Sequence, residues 1–463
     1  MSTIAEDLEK SNTLSERINA FLKQNQAGKA LREANAYKSR GIPVLHVLMY
    51  LVQLVFTKKS MYMNTLNGTN SAGFGKDVVY RLLNSTFINW TGFLLKLAMS
   101  VISSIVPLTS ESRRNALIVD DTLYERSRSK KVELLANVYD HAAKGKQKFK
   151  RGFRLLTLGW SDGTTFIPLL FRHLSSKDQK QRHMEANTKV DKRSIGHKTR
   201  QEAVSKATDV LYVMLKQAKQ VGIAAKYVLF DSWFSFPSVM MTIHEIGFFV
   251  VGRLKNNPKI KYLVNGKKMT LKEIYAANKK RRGRSKYLLS VEVILYNDDN
   301  ETLPARIVFV RDRNNRKKWI AFCTTDMSIS EEEVIELYGK RWDIEVFFKV
   351  CKSYLCLAKE FQGLSYDSIT AHTAIVMTRY IMLASDKRQN EDPRSLGELF
   401  YLCYDELVDH SFADILAFIL TCFHETLSEF FFLDDSSMRQ LIDGFVDKLS
   451  SCFKDVALLS TII

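Results

Sequence analysis

Two apolar runs that each close on an acid constrain this chain more than any other feature: ALIVDD over 116–121 and YVLFD over 227–231. Four consecutive apolar residues show no alternation, so such strands bury both faces, which is the habit of parallel sheets covered by helices. An Asp closing such a strand lies where open α/β sheets bind ligands, although an ordinary turn also favours it. The elements predicted around these runs are a strand at ALIVD, a basic connection, strands at GFRLLTLGW and FIPLLFRHL, a helix from Lys198 to Val221, a strand at AAKYVLF, a helix from Ser235 to Ile246 and a strand at FFVVGRL. A three-strand meander followed by a crossover helix returns the fourth strand beside the first, bringing Asp120 and Asp231 together. Neighbouring strand residues face opposite sides, so only one of Asp120 and Asp121 can share that site. The parallel between ALIVD and YVLFD favours Asp120.

A third acid comes from YGKRWDIEVFFKVCK, residues 338–352. At about 100° per residue, Arg341, Glu345 and Lys352 fall roughly 60°, 20° and 40° from Tyr338 on one side, making a single polar stripe. Leu337, Ile344, Phe348 and Cys351 form the apolar stripe beside it. Ser330 followed by Glu331, Glu332 and Glu333 fits a capping box at the positive end of a helix dipole, which predicts one long helix through Lys352. Alone, the polar stripe is equally a solvated ladder of ion pairs.

Taken together, these residues resemble the bacterial insertion-sequence transposases of the DDE class, in the subgroup marked by a Tyr-x2-Arg-x3-Glu-x6-Lys signature. Tyr338, Arg341, Glu345 and Lys352 match that signature without a gap, and the resemblance is firm over residues 110–370. It implies an α/β, ribonuclease H-like mixed sheet with a β-rich insertion and flanking helical amino- and carboxy-terminal regions. It implies that Asp120, Asp231 and Glu345 are catalytic and bind divalent metal, Mg²⁺ or alternatively Mn²⁺. The family's Asp-x-Thr/Ser pattern favours Asp120 over Asp121. Tyr338, Arg341 and Lys352 are implied to hold DNA phosphates near the cleavage point. The implied partners are double-stranded DNA, as terminal inverted repeats and target, and a second copy of the chain bridging two ends, in the bacterial cytoplasm with the nucleoid.

The residue types suit this chemistry. Hard cations take oxygen ligands, so carboxylates without His or Cys make a fitting set. Arg341 offers a planar fork, Lys352 a point charge and Tyr338 one hydroxyl. Trp342, and Trp319 in the insertion, are candidates to stack on an unpaired base; Trp233, just after Asp231, is expected to pack beneath the metal site.

Composition is that of a globular protein, with 46% hydrophobic and 25% charged residues over 463. The formal charge of +18 points to a polyanionic partner. It is unevenly spread: residues 391–463 hold fourteen acidic and four basic residues, leaving +28 over residues 1–390. Basic clusters run over 126–154, 172–200 and 253–286, the last with Lys279, Lys280, Arg281, Arg282 and Arg284. Each fits a solvated face; together, flanking the carboxylates, they fit a phosphate-lined channel. The predicted organisation is a helical, DNA-binding region over 1–110, a catalytic core over 111–254 and 328–385, a β-rich insertion over 255–327 whose alternative is an edge extension of the sheet, and an acidic helical region over 386–463.

Six cysteines without a CxxC pair predict reduced thiols. MSTIAEDLEK lacks a signal-peptide layout, which fits a cytoplasmic protein, and the apolar run over 41–56 is short of a bilayer span and reads as a core helix, so no membrane partner is expected. NGTNSAGFGK over 67–76 lacks the Lys-Ser/Thr step of an ATP loop. Two rival functions remain: another ribonuclease H-like nuclease, which gives no reason for the Tyr-Arg-Glu-Lys stripe, and a catalytically silent, transposase-derived DNA-binding protein.

Overall fold

The computed structural model describes residues 14–57, 61, 73–110, 113–140, 148–281, 285–312, 315, 317–390, 395–396 and 398–400. The acidic region beyond residue 400, with Cys403, Cys422 and Cys452, and basic Arg282 and Arg284 lie outside them. Among the described cysteines, Cys323, Cys351 and Cys356 are free thiols.

The amino-terminal part is helical: α1 (Leu14–Gln24), α2 (Ala27–Glu33), α3 (Val44–Leu54), α4 (Lys76–Leu83) and α5 (Trp90–Ile105). Amphipathic α1 and α4 bury one face, and the more apolar α5 buries most of its circumference but leaves Lys96 and Ser103 exposed. It packs on a strand of the sheet and on the last long helix. Asn89 caps its start by accepting from the Gly92 N–H.

Among the described residues, eleven strands then form one mixed sheet: β1 (Ala116–Glu125), β2 (Ala136–Tyr139), β3 (Phe149–Ser161), β4 (Phe166–Leu174), β5 (Tyr227–Phe230), β6 (Phe249–Arg253), β7 (Tyr262–Val264), β8 (Lys267–Met269), β9 (Leu289–Tyr296), β10 (Thr302–Arg311) and β11 (Trp319–Thr324). Its heart is the order β4-β3-β1-β5-β6, antiparallel from β4 to β1 and parallel from β1 to β6. That is the order of a ribonuclease H-like sheet, and the fold is of that class. The meander and the return of β5 beside β1 are as the sequence predicts.

Three local expectations are corrected. β1 does not end at Asp120 but continues to Glu125, because residues 121–125 keep pairing with β3 through Gly152. The crossover is two helices, α6 (Ile195–Ala203) and α7 (Ala207–Gln220), since Lys206 is extended and the Ala203 carbonyl accepts from Ser175 N–H instead of continuing a helix. The long helix from Ser330 divides into α10 and α11, described below. Between α7 and α10 lie α8 (Pro237–Ile246) and α9 (Leu271–Ala277).

The strands of the 255–327 segment join the same sheet: β11 pairs antiparallel with β6, β10 with β11, and β9 with β10. The chain then returns through α10 (Glu331–Gly339), α11 (Trp342–Ser353) and α12 (Tyr366–Gln389). α12 is buried along most of its length and packs on α3, α5 and α11. Its Arg379 donates to the Leu51 and Val52 carbonyls and pairs with Glu360, tying the amino-terminal helices to the core.

Candidate active site

The parallel register pairs Ile118 of β1 with Leu229 of β5. Continued by two residues, it sets Asp120 level with Asp231, on strands about 4.8 Å apart and with side chains on the same face. Asp231 follows the last residue of β5, and its Oδ1 accepts the Trp233 backbone N–H at 2.8 Å. Burial, together with the negative charge of Asp231, pushes the Asp120 carboxyl up to about 7 against the pull of Arg341.

Alternation along β1 separates the two adjacent acids. Asp120 and Thr122 face α11, where Arg341 Nη1 lies 3.0 Å from Asp120 Oδ2 and Lys352 Nζ donates to Thr122 Oγ1 at 2.6 Å. Asp121 turns to the other face and pairs with Arg154 of β3.

Ser330 and Glu333 form the expected capping box at the start of α10. The helix then tightens: Lys340 N–H, Arg341 N–H and Asp343 N–H donate to the carbonyls three residues back, Leu337, Tyr338 and Lys340. This narrow turn, typical of a 3₁₀ step, sets α11 off as a separate helix. The turn is pinned from below by Lys340, whose ammonium donates to the Arg114 and Asp162 carbonyls. Asp343 adds a second anchor by accepting from Ser161 Oγ at 2.6 Å.

Arg341 is mostly buried and bridges two carboxylates, Asp120 and Glu345. Its Nε–H is buried and meets no acceptor among the described residues. Tyr338 tilts against Phe322 with ring centroids 4.4 Å apart, and burial raises its phenol pKa. Lys352 is part-buried, and desolvation lowers its pKa while Asp140 and Glu125 oppose that shift. Leu337, Ile344, Phe348 and Cys351 are all buried, so the apolar stripe predicted beside the polar one exists.

The structure thus gathers Asp120, Asp231, Tyr338, Arg341 and Glu345, and puts Lys352 along α11 beside Thr122. Glu345 joins Asp120 through Arg341 and not directly: among the described residues, no three His, Cys, Asp or Glu side chains converge as a metal-binding group. Asp120 and Asp231 still make an all-oxygen pair with like charges in register, a donor set that fits a hard divalent cation.

Of the tryptophans, Trp342 is 62% exposed beside Arg341. Trp319 is a packing residue, stacked on Tyr275 at 5.2 Å and edge-on to Phe309. Trp233 does not pack beneath the carboxylates as expected: it is 47% exposed, with the Arg154 guanidinium 5.1 Å from its ring centre. Sequence reading missed Lys340 and Asp343, and it held Arg154 and Arg253 only as members of the basic clusters over 126–154 and 253–286; Arg253 ends β6 and its charge reaches Tyr338.

With the geometry in place, comparison with known proteins gives a coarse answer. Residues 46–262 match the family described as DDE superfamily endonuclease. Over that span, the chain is similar to DDE endonucleases. The span is just under half of the chain; it contains Asp120 and Asp231 and stops before Glu345. No curated protein matches. Among solved structures, the Drosophila P element transposase strand transfer complex matches at 12% identity and a TM-score of 0.22, over 59% of this chain and 55% of that one. This chain therefore spans about half the length of that neighbour.

Proposed function

We propose that this chain is a DNA transposase of the DDE class that cuts and joins DNA ends. The observation that carries the reading is the in-register pair Asp120 and Asp231, with Arg341 linking Asp120 to Glu345 of the signature helix. The match to DDE endonucleases over residues 46–262 supports it.

Asp120, Asp231 and Glu345 are the residues that would hold divalent metal, Mg²⁺ or Mn²⁺. When bound, the metal supplies an activated nucleophile and neutralises charge on the transferring phosphoryl group. Arg341 keeps two carboxylates oriented and has a spare buried Nε–H to give a phosphate oxygen. Lys352, held by Thr122 two helical turns from Glu345, adds a cation further along the strand. Tyr338 closes the side towards β11, and Trp342 presents an open ring for a base.

The DNA substrate is double-stranded, read as terminal inverted repeats and joined to a target, with two copies of the chain bridging two ends. The cations on residues 1–390 favour this polyanion. α4, carrying Lys76 and Arg81 on its exposed face, is proposed to read the repeat. Lys76→Glu with Arg81→Glu then removes preference for the end sequence; a double variant that still discriminates ends assigns the reading elsewhere.

The deciding experiment is strand cleavage and joining on a labelled duplex carrying the repeat that borders the reading frame, with Mg²⁺ or EDTA. Asp120→Ala, Asp231→Ala and Glu345→Ala bind but do not cut, whereas Asp121→Ala still cuts. Binding without metal-dependent cutting by the native protein would favour the silent DNA-binding reading. Normal cutting by Glu345→Ala would return the chain to the other ribonuclease H-like nucleases.

A further inference from the structure

The turn between β3 and β4 receives parts of the chain that lie far apart in sequence. Asp162 is 1% exposed. Its carboxylate accepts the Thr164 and Thr165 N–H groups at 2.8 Å, the Thr109 hydroxyl at 2.9 Å and Arg388 Nη2 of α12 at 3.2 Å. Gly163 sits at φ +90°, which glycine adopts without a steric penalty, and its N–H donates to Ser161 Oγ at 2.8 Å. The turn is thus fixed from within and from the two helical regions beside it.

The break between α10 and α11 docks here through two opposite charges. Lys340, at the carboxyl end of α10, donates to the Arg114 carbonyl at 2.5 Å and the Asp162 carbonyl at 3.2 Å. Asp343, in the first turn of α11, accepts from Ser161 Oγ at 2.6 Å. Each charge suits its helix end, the cation at the negative end and the acid at the positive one. The two carbonyls flank the paired ends of β1 and β3, where Ala116 lies opposite Ser161. One ammonium therefore bridges the end of the same ladder that carries Asp120, four residues or about 13 Å along β1. A Cβ on Gly163 would stand 3.0 Å from Lys340 Cε, so glycine also leaves the space that the lysine stem fills.

We propose that Lys340 and Asp343 are positioning residues for the cleavage chemistry: they index α11 to the β1–β3 ladder and so fix where Arg341 and Glu345 stand against Asp120. The proposal rests on the transposase reading above. Arg341 directly follows Lys340 and Glu345 lies one helical turn further on, so a shift of the break moves both. Lys352 also ties α11 to β1, through Thr122, but its charge is assigned above to DNA. Lys340 and Asp343 give theirs to the protein, and hold the helix whether or not substrate is present. The stake is large, because a misplacement of about 1 Å can cost on the order of a hundredfold in rate.

The test compares Lys340→Met, which keeps the stem and loses the donors, with the native protein on the duplex of the bordering repeat. In the metal-free protein, amide hydrogen exchange over residues 341–348 accelerates about tenfold, while residues 369–384 of α12 keep their native rates. Single-turnover cleavage with Mg²⁺ falls about tenfold, while the half-saturating duplex concentration stays within about twofold. Ser161→Ala, which leaves the net charge unchanged, lowers cleavage about threefold in the same way. Arg113→Met, whose guanidinium meets Thr164 of the same turn and not α11, cuts at the native rate. Adding Lys340→Met to Arg341→Lys slows cleavage by less than about threefold further, because one displacement carries both penalties. Unchanged exchange over 341–348, native-rate cleavage by Lys340→Met, an equal loss in Arg113→Met, or penalties that multiply in the double variant each overturn the positioning role. If the native protein neither binds nor cuts the duplex, the transposase reading falls and this inference with it. If it binds and cuts while Lys340→Met is silent, only this inference falls.

Discussion

Arg341 concentrates the site's geometry in one side chain. Its planar fork meets Asp120 and Glu345 at once, which a lysine ammonium cannot reproduce. Arg341→Lys is expected to lower single-turnover cleavage by about tenfold to hundredfold, with end binding reduced less. Lys352 acts through a single bond to Thr122, so Lys352→Met with Thr122 intact is expected to weaken end binding and to lower the slope of log affinity against log salt by roughly one. A salt titration of both proteins checks it. The adjacent acids are the clearest lesson at this scale. Their alternation was legible in ALIVDD, but the job of Asp121 was not, because its partner Arg154 comes from β3, more than thirty residues away.

At the scale of elements, three segments meet on one buried arginine. Arg200 of α6 bonds Glu133 at 2.6 Å and Asp367 at the start of α12 at 2.6 Å. Glu133 also accepts the Tyr366 and Asn187 N–H groups. All three ionic side chains are at least nine-tenths enclosed, so removing the cation strands two carboxylates. Arg200→Met is expected to cost about 3–5 kcal/mol, read as a lower urea midpoint, and the carboxyl end of α11 should loosen with α12. α11 and α10 show what periodicity can and cannot give. The apolar and polar stripes were legible from spacing, since both helices keep nearly the same phase across the turn. The break itself was not, because it depends on Lys340 reaching the Arg114 and Asp162 carbonyls.

For the molecule as a whole, two buried imidazoles set a pH dependence. His173 and His372 are enclosed, and burial holds both down to about 3. The folded state then keeps each neutral while the unfolded chain takes up a proton below its ordinary value of about 6.5. A histidine lowered on folding contributes stability that is present above 6.5 and lost as pH falls from there towards 3. Between pH 7 and 5.5, His372→Asn should lose about 1 kcal/mol less stability than the native protein, measured by urea unfolding at the two values. Charge acts at this scale too. The cations of residues 1–390 predict end binding that weakens steeply between 50 and 200 mM salt, by on the order of a thousandfold if six or more phosphates are contacted; a flat salt response would remove the proposed channel.

Sequence alone determined the elements whose signal is local. The apolar strands β1 and β5, the capping box at Ser330, the single-faced stripe of Tyr338, Arg341, Glu345 and Lys352, and the excess of positive charge all follow from side-chain type and spacing. Tertiary structure decided everything that depends on partners distant in the chain. It extended β1 past Asp120 by pairing it with β3, and it joined the 255–327 strands to the main sheet through the β6–β11 pair. It also placed a guanidinium between two carboxylates and turned Trp233 outward over Arg154. Local spacing fixes the direction in which a side chain leaves its own element; which group it meets is set by the packing of elements that the chain brings together only when it folds.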